Sequence, residues 1–326
     1  MTRALILSLV ALLGGVPAAA DRQEPVPPPS PAVPQSTPVF RSRANLVMLQ
    51  VNVFDRRSQA VTDLPQGAFR VYEDGVEQDI QFFADREVPV AAGLVMDNSS
   101  SMIARRSMVR AGVSAFADSS READEMFTIV FNEHVRFGLP ESIPFTRDHD
   151  LLSSAFARFP PGGLTALHDA VIDGLAHLAE ASHQKRVLVV LSDGDDNASH
   201  ASESNMLYRA AQSNALIYTI WTGDLTADRG NPRLLRTLAH RSGGVAYGPR
   251  SERETVSAFA EVAGNVRRGY SIGYTPSNGA ADGTYRHVKV IVKASNRTLN
   301  VRTRDGYIAA DDRVEQAERG GAGDRD

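Results

Sequence analysis

Three short stretches place oxygen donors where a chain that is burying itself has little reason to put them. In "GLVMDNSSSM" (93–102) an apolar run ends in Asp97, and hydroxyls follow at alternate positions, Ser99 and Ser101. In "PPGGLTALHDA" (160–170) Thr165 stands between a glycine-rich turn and a segment with helical spacing. In "VVLSDGDDN" (189–197) Asp193 closes the most apolar run of the chain, much as Asp97 closes the first. Two aspartates at neighbouring strand ends repel by roughly 4 kcal/mol at about 4 Å and an effective dielectric near 20. A divalent cation between them turns that repulsion into attraction. One or two carboxylates with neutral hydroxyls and water make a hard oxygen set that suits Mg²⁺ (or Mn²⁺). An ion held by so few anions keeps positive charge and can accept one further carboxylate from outside.

Each of these residues also has a plainer use. Asp97, Ser99 or Ser101 could cap the helix that follows, and Thr165 could cap "ALHDAVIDGL". Asp195, Asp196 and Asn197 suggest a calcium loop, but "DGDDNASHASE" lacks the Gly at its sixth position and the Glu at its twelfth. It reads as a solvated acidic turn. His168 beside Asp169 could be a base and its orienter, or a histidine lining a crevice. The eight histidines show no H-E-x-x-H spacing, and there is no G-x-S-x-G elbow, no Walker loop and no cysteine nucleophile. Trp221, at the end of "ALIYTIW", could be exposed or buried.

The elements that must position the donors are legible as patterns. "VPVAAGLVMD", "MFTIVF", "RVLVVLSD" and "ALIYTIW" are short apolar runs suited to strands buried on both faces. Between them lie helical spacings: Val109, Val113 and Phe116; then Ala170, Val171, Leu175 and Leu178; then "NPRLLRTLAHRSGG", which stops on glycines. Strands alternating with helices from Val88 to about Val266 predict an α/β, doubly wound, mostly parallel sheet, whose ligand crevice lies beyond the strands' carboxyl ends. On either side, 44–84 and 268–308 show period-two alternation, with a turn signal at "EDG" (73–75). Neither flank has strands enough for a core of its own. We expect the two to pair into one small β-sandwich, with separate β appendages as the alternative.

At this point the chain resembles a known family. "DNSSSM" fits the D-x-S-x-S pattern of von Willebrand factor A domains, and Thr165 and Asp193 fall where the later metal ligands of that family stand. The resemblance covers about residues 88–266. It implies a Rossmann-like sheet with a metal-ion-dependent adhesion site at its upper edge, where Asp97, Ser99, Ser101 and Thr165 hold Mg²⁺ and Asp193 does so directly or through water. The leader and "VYEDGVEQDIQFF" are similar to a secreted bacterial subgroup of these proteins.

The rest of the composition narrows the partners. Net charge is −4 with no long basic run, which argues against nucleic acid and against an anionic membrane surface. "MTRALILSLVALLGGVPAAAD" reads as a signal peptide (1–20) cleaved near Ala20, followed by a proline-rich linker (21–43). The charged tail, 311–326, has no apolar pattern. We therefore expect a secreted or periplasmic, non-enzymatic binding module that presents the ion to an acidic side chain of a partner protein and does not insert into membrane. A Mg²⁺-assisted hydrolase and a structural envelope protein with a stabilising ion are the competing classes.

Overall fold

The strand β5 (Val90–Asp97) is buried along its whole length, and the alternation of its side chains shows why. Val90, Ala92, Leu94 and Met96 join one apolar cluster, whereas Ala91 and Val95 join another on the opposite side. A strand with two buried faces needs helices on both, and the chain supplies them. The computed structural model describes residues 46–57, 59–85, 88–223, 230–294 and 298–310. The signal peptide, proline-rich linker and charged tail assigned from sequence lie outside them.

In chain order, β1 (Val47–Phe54), β2 (Phe69–Glu73), β3 (Val76–Gln78) and β4 (Ile80–Ala84) precede β5. Then come α1 (Arg106–Asp118), β6 (Glu125–Phe131), β7 (Val135–Phe137), α2 (His149–Arg158), α3 (Leu167–Ala179) and β8 (Lys185–Ser192). They are followed by α4 (Glu203–Gln212), β9 (Leu216–Trp221), α5 (Pro232–Ser242), β10 (Ala246–Tyr247) and α6 (Glu252–Arg268). Last are β11 (Tyr270–Tyr274), β12 (Tyr285–Val292), β13 (Asn300–Arg302) and β14 (Gly306–Ile308).

Among the described residues the central sheet runs β10-β9-β8-β5-β6-β7, parallel except for the hairpin strand β7. Helices α1, α2 and α6 cover one face and α3, α4 and α5 the other. After β5 the chain leaves by α1 on the first face; after β8 it leaves by α4 on the second. The neighbouring carboxyl ends of β5 and β8 are thus the point where the winding reverses, and a crevice opens there. Helix α5 shows the local logic: Asn231 Oδ1 accepts the Leu234 N–H at 3.0 Å, Pro232 opens the first turn, and Gly243 at φ 86° ends it in the left-handed region.

The two β flanks form one sandwich. One sheet runs β13-β1-β11-β4 and the other β14-β12-β2-β3, so each draws strands from both sides of the central sheet. Their inner faces share a core in which Leu49, Val51, Phe69, Val71, Ile272 and Tyr274 are almost fully buried. Phe69 and Tyr270 stack across the sheets at 4.7 Å between ring centres. The "EDG" signal is a two-residue hairpin turn, with Asp74 at φ 47° and Gly75 at φ 85° between β2 and β3. Within the alternating C-terminal flank, "TLNVRTRDGY" supplies residues to two strands, β13 and β14, in different sheets. The break centres on Arg304, which turns inward: its guanidinium donates to Asn214 Oδ1 at 3.0 Å and to the Ala211 carbonyl at 2.7 Å, tying the sandwich to the end of α4. Burial lowers the Arg304 pKa to about 10.

Candidate metal centre

Asp97 is the last residue of β5 and is wholly buried. Its carboxylate is held from two sides. Oδ1 accepts the Ser99 N–H at 2.9 Å, and Oδ2 accepts the Ser192 hydroxyl at 2.7 Å across the β5/β8 crevice. Burial pushes the Asp97 carboxyl up to about 6; the Ser99 and Ser192 hydrogen bonds pull it back, and the nearby Asp193 carboxylate pushes it up further. Asp97 therefore feels the charge of Asp193 across the crevice.

The capping readings fail in this structure. A 3-10 turn, Ser100–Arg105, follows Ser99, and neither it nor α1 has a side-chain cap. The Ser99 hydroxyl lies 3.1 Å from that of Ser101 instead, so the two oxygens sit side by side. Helix α3 is preceded by Ala166, again with no side-chain cap. Among the described residues, the bonds that fix Thr165 run through its backbone. Its N–H donates to Asn197 Oδ1 at 2.8 Å, and its carbonyl accepts the N–H groups of Asn197 and Ala198 at 2.9 and 3.0 Å.

All three loops are stitched together. The first and second meet where the Ser100 N–H and hydroxyl both donate to the Gly163 carbonyl, at 3.2 and 3.0 Å, and where the Gly162 N–H donates to Asn98. Gly163, at φ 84°, takes a backbone conformation that L side chains rarely adopt, and it lies against the Glu133 carboxylate. The second and third meet through Thr165 and Asn197, and the third is pinned from below. Asp193 receives the Asn231 N–H on its carbonyl at 2.9 Å and the Trp221 indole N–H at 3.1 Å. Trp221 is therefore a half-buried support for this loop.

The acidic turn beside Asp193 is not simply solvated, which corrects the sequence reading. Asp195 and Asp196 are half-buried and bonded. Asp195 Oδ2 accepts the Gly230 N–H at 3.2 Å, while Asp196 Oδ2 accepts the His168 N–H at 2.9 Å and the Ser199 hydroxyl at 2.5 Å. His168 does not pair with its neighbour either. Asp169 turns away to accept the His200 and Ala201 N–H groups at 2.8 and 2.9 Å, and His168 Nδ1 faces the Ala201 carbonyl at 3.1 Å. Both residues hold the third loop against α3. Ser192 is the partner that sequence inspection passed over, and only its place directly before Asp193 hinted at a role; Asn197, read from sequence as part of the acidic turn, instead receives the Thr165 N–H.

No family model matches this chain, and neither does any curated protein. Among solved structures it is similar to von Willebrand factor type A from Catenulispora acidiphila, at 12% identity over 84% of this chain and 76% of that one, with a TM-score of 0.49. It is similar also to the conserved hypothetical protein BatB from Bacteroides thetaiotaomicron (17%, 54% and 98%, TM-score 0.45). A third is the SpRpn10 VWA domain (17%, 52% and 95%, TM-score 0.40). Its neighbours in fold are von Willebrand factor A domains. What the donors of this sheet can bind follows from their own chemistry.

Among the described residues no three His, Cys, Asp or Glu side chains converge as a conventional metal site. The donor set expected from the sequence is of another kind: two carboxylates, Asp97 and Asp193, with three hydroxyls from Ser99, Ser101 and Thr165. Neutral hard oxygens with at most two anions fit Mg²⁺ or Mn²⁺ and do not fit softer ions. Thr165 offers a clean test of that fit, because its backbone alone fixes the loop. Thr165→Val should leave the unfolding free energy in urea within about 1 kcal/mol of wild type in chelator and remove most of the stabilisation expected from Mg²⁺. A variant that kept the full Mg²⁺ effect would exclude Thr165 from the donor set.

Proposed function

We propose that the chain is a secreted or periplasmic protein-binding module whose Asp97, Ser99, Ser101, Thr165 and Asp193 hold Mg²⁺ or Mn²⁺ for recognition of an acidic side chain on a partner protein. The observation that supports this most is the stitching of three loops around one buried carboxylate at the reversal point of the sheet. When bound, the ion would supply an open coordination position to the partner's carboxylate. The chain's own residues do the rest. Asp97 and Asp193 supply the charge, the hydroxyls fill positions without neutralising the ion, and the loops set the surroundings of the incoming group.

Those surroundings are apolar as well as charged. Ile103 and Leu164 are large hydrophobic residues left more than half exposed, at 55% and 54%, on the first and second loops. Side chains three apart in a 3-10 turn eclipse, so Ile103 stands over Ser100, whose hydroxyl touches Gly163, the neighbour of Leu164. An acidic residue flanked by apolar ones fits this rim. Among the described residues no helix is long and apolar enough to cross a membrane.

The test is capture of partners on immobilised protein in Mg²⁺ and again in excess chelator. A set of proteins should be retained in Mg²⁺, released by chelator and missing with Asp97→Ala. Equal retention of every protein in chelator would remove the metal from the account.

A further inference from the structure

A cleft of about 1160 Å³ opens on the outer face of the β14-β12-β2-β3 sheet, and none of its lining residues belongs to the three loops described above. Strand alternation builds it. Along β12, Arg286, Val288 and Val290 are buried, so Tyr285, His287 and Lys289 point outward and are exposed. The register sets Tyr72 of β2 opposite Lys289. Arg241, in the last turn of α5, lines the cleft as well. The rings of Tyr285 and His287 meet edge to face at 5.0 Å, and Tyr285 is 40% exposed.

The charges of this cleft decide what fits it. Its two acids each hold one bond and keep their charge: Asp74 Oδ1 accepts the His287 backbone N–H at 2.9 Å, and Asp305 Oδ2 lies 3.0 Å from His240 Nδ1. Among the described residues, neither Arg241 nor Lys289 has an ion-pair partner. The cleft thus carries two carboxylates and two cations, and the two unpaired cations are set beside the rings of Tyr72, Tyr285 and His287. β2 and β12 are interior strands, so an extended peptide finds no unpaired strand edge here. Two cations are also too few to follow a phosphate backbone. A sugar ring needs neither. Its C–H face packs on a tyrosine, its hydroxyls reach polar side chains, and an acidic substituent meets Arg241 or Lys289.

We infer that this face of the sandwich is a binding site for a carboxylate-bearing glycan, separate from the metal-dependent reading and independent of it. The acid could stand on the ring, as in a uronic acid polymer, or on an ether side chain, as in peptidoglycan strands. The experiment is affinity electrophoresis of the full chain in excess chelator, through gels containing polygalacturonate, solubilised peptidoglycan strands, neutral dextran, polyglutamate or oligothymidylate. Retardation by at least one of the two acidic glycans is expected, and none by the other three polymers. Tyr285→Ala, Tyr72→Ser and the double variant Arg241→Ala with Lys289→Ala should each raise the dissociation constant tenfold or more with unchanged thermal unfolding. Migration unaffected by both acidic glycans overturns the inference. Retardation by polyglutamate or oligothymidylate as strong as by the glycans overturns it too, and so do folded variants that bind like wild type. Because chelator is present throughout, the outcome does not depend on whether the three loops hold an ion.

Discussion

Replacement of Glu73 by Ala is expected to destabilise the protein by about 3–5 kcal/mol, the cost of stripping one partner from a buried ion pair. Glu73 is 3% exposed and sits in the sandwich core, where its carboxylate is fully engaged. Oε2 accepts the hydroxyls of Tyr274 and Tyr307 at 2.7 and 2.8 Å, and Oε1 lies 3.2 Å from Arg286 Nη1. Arg286 is itself only 1% exposed; its Nη1 and Nη2 donate to the carbonyls of Asn278 and Ala280, while its buried Nε has no hydrogen-bond partner among the described residues. Without Glu73, the ion-pair partner left to the buried guanidinium among the described residues is the partly exposed Asp282 at 3.6 Å, and two phenols lose their acceptor. Glu73→Gln keeps shape and one acceptor oxygen, so a smaller loss of about 1.5–3 kcal/mol is expected. Urea unfolding with an unchanged slope reads both values. A loss below about 1 kcal/mol for the alanine variant would mean that water replaces the carboxylate and that the pair does not hold the two flanks together.

Glu73 also shows where sequence reading stops. In "VYEDG" it stands beside a turn and looks like a surface charge, although Phe69 and Val71 put it in phase with the inner face. Tyr274, Arg286 and Tyr307 lie about two hundred residues further along the chain, and no local pattern joins them to it. The central strands were legible because burial on both faces leaves an unbroken apolar run, as in "RVLVVLSD". Short β7 and β10 were not, since two or three residues carry no period. At the crevice the same division holds. Asp97, Ser99, Ser101, Thr165 and Asp193 stand out because each follows a run or turn that has no use for an oxygen donor. The roles of Ser192, Asn197 and Asp196 come only from loops that meet in space.

The second large effect concerns Asp97, where two conditions should reverse the order of stability. In chelator at pH 7.5, Asp97→Asn should be more stable than wild type by up to about 3 kcal/mol, from a shift of some two pKa units at 1.36 kcal/mol each. The folded-state value of about 6 lies above the ordinary 3.8. Asp97 therefore contributes stability that is complete below about pH 3.8 and is lost as pH rises through about 6. Asparagine removes that loss while keeping the local bonds. Its oxygen can accept the Ser99 N–H, and its amide can donate to the Ser192 hydroxyl, which rotates to accept. Excess Mg²⁺ should invert the order. Wild type gains about 2.7 kcal/mol at a hundred times its dissociation constant, and the asparagine variant, with one charge fewer at the crevice, gains little. The Mg²⁺ effect on wild type should also fade as pH falls through about 6, where protons compete for the same oxygens. Thermal unfolding of both proteins across pH 4.5–8, with and without Mg²⁺, measures every part of this. Parallel curves for the two proteins in Mg²⁺ would show that the buried carboxylate is a structural cost unrelated to any ion. Curves that cross would tie the destabilised carboxylate to the ion that relieves it.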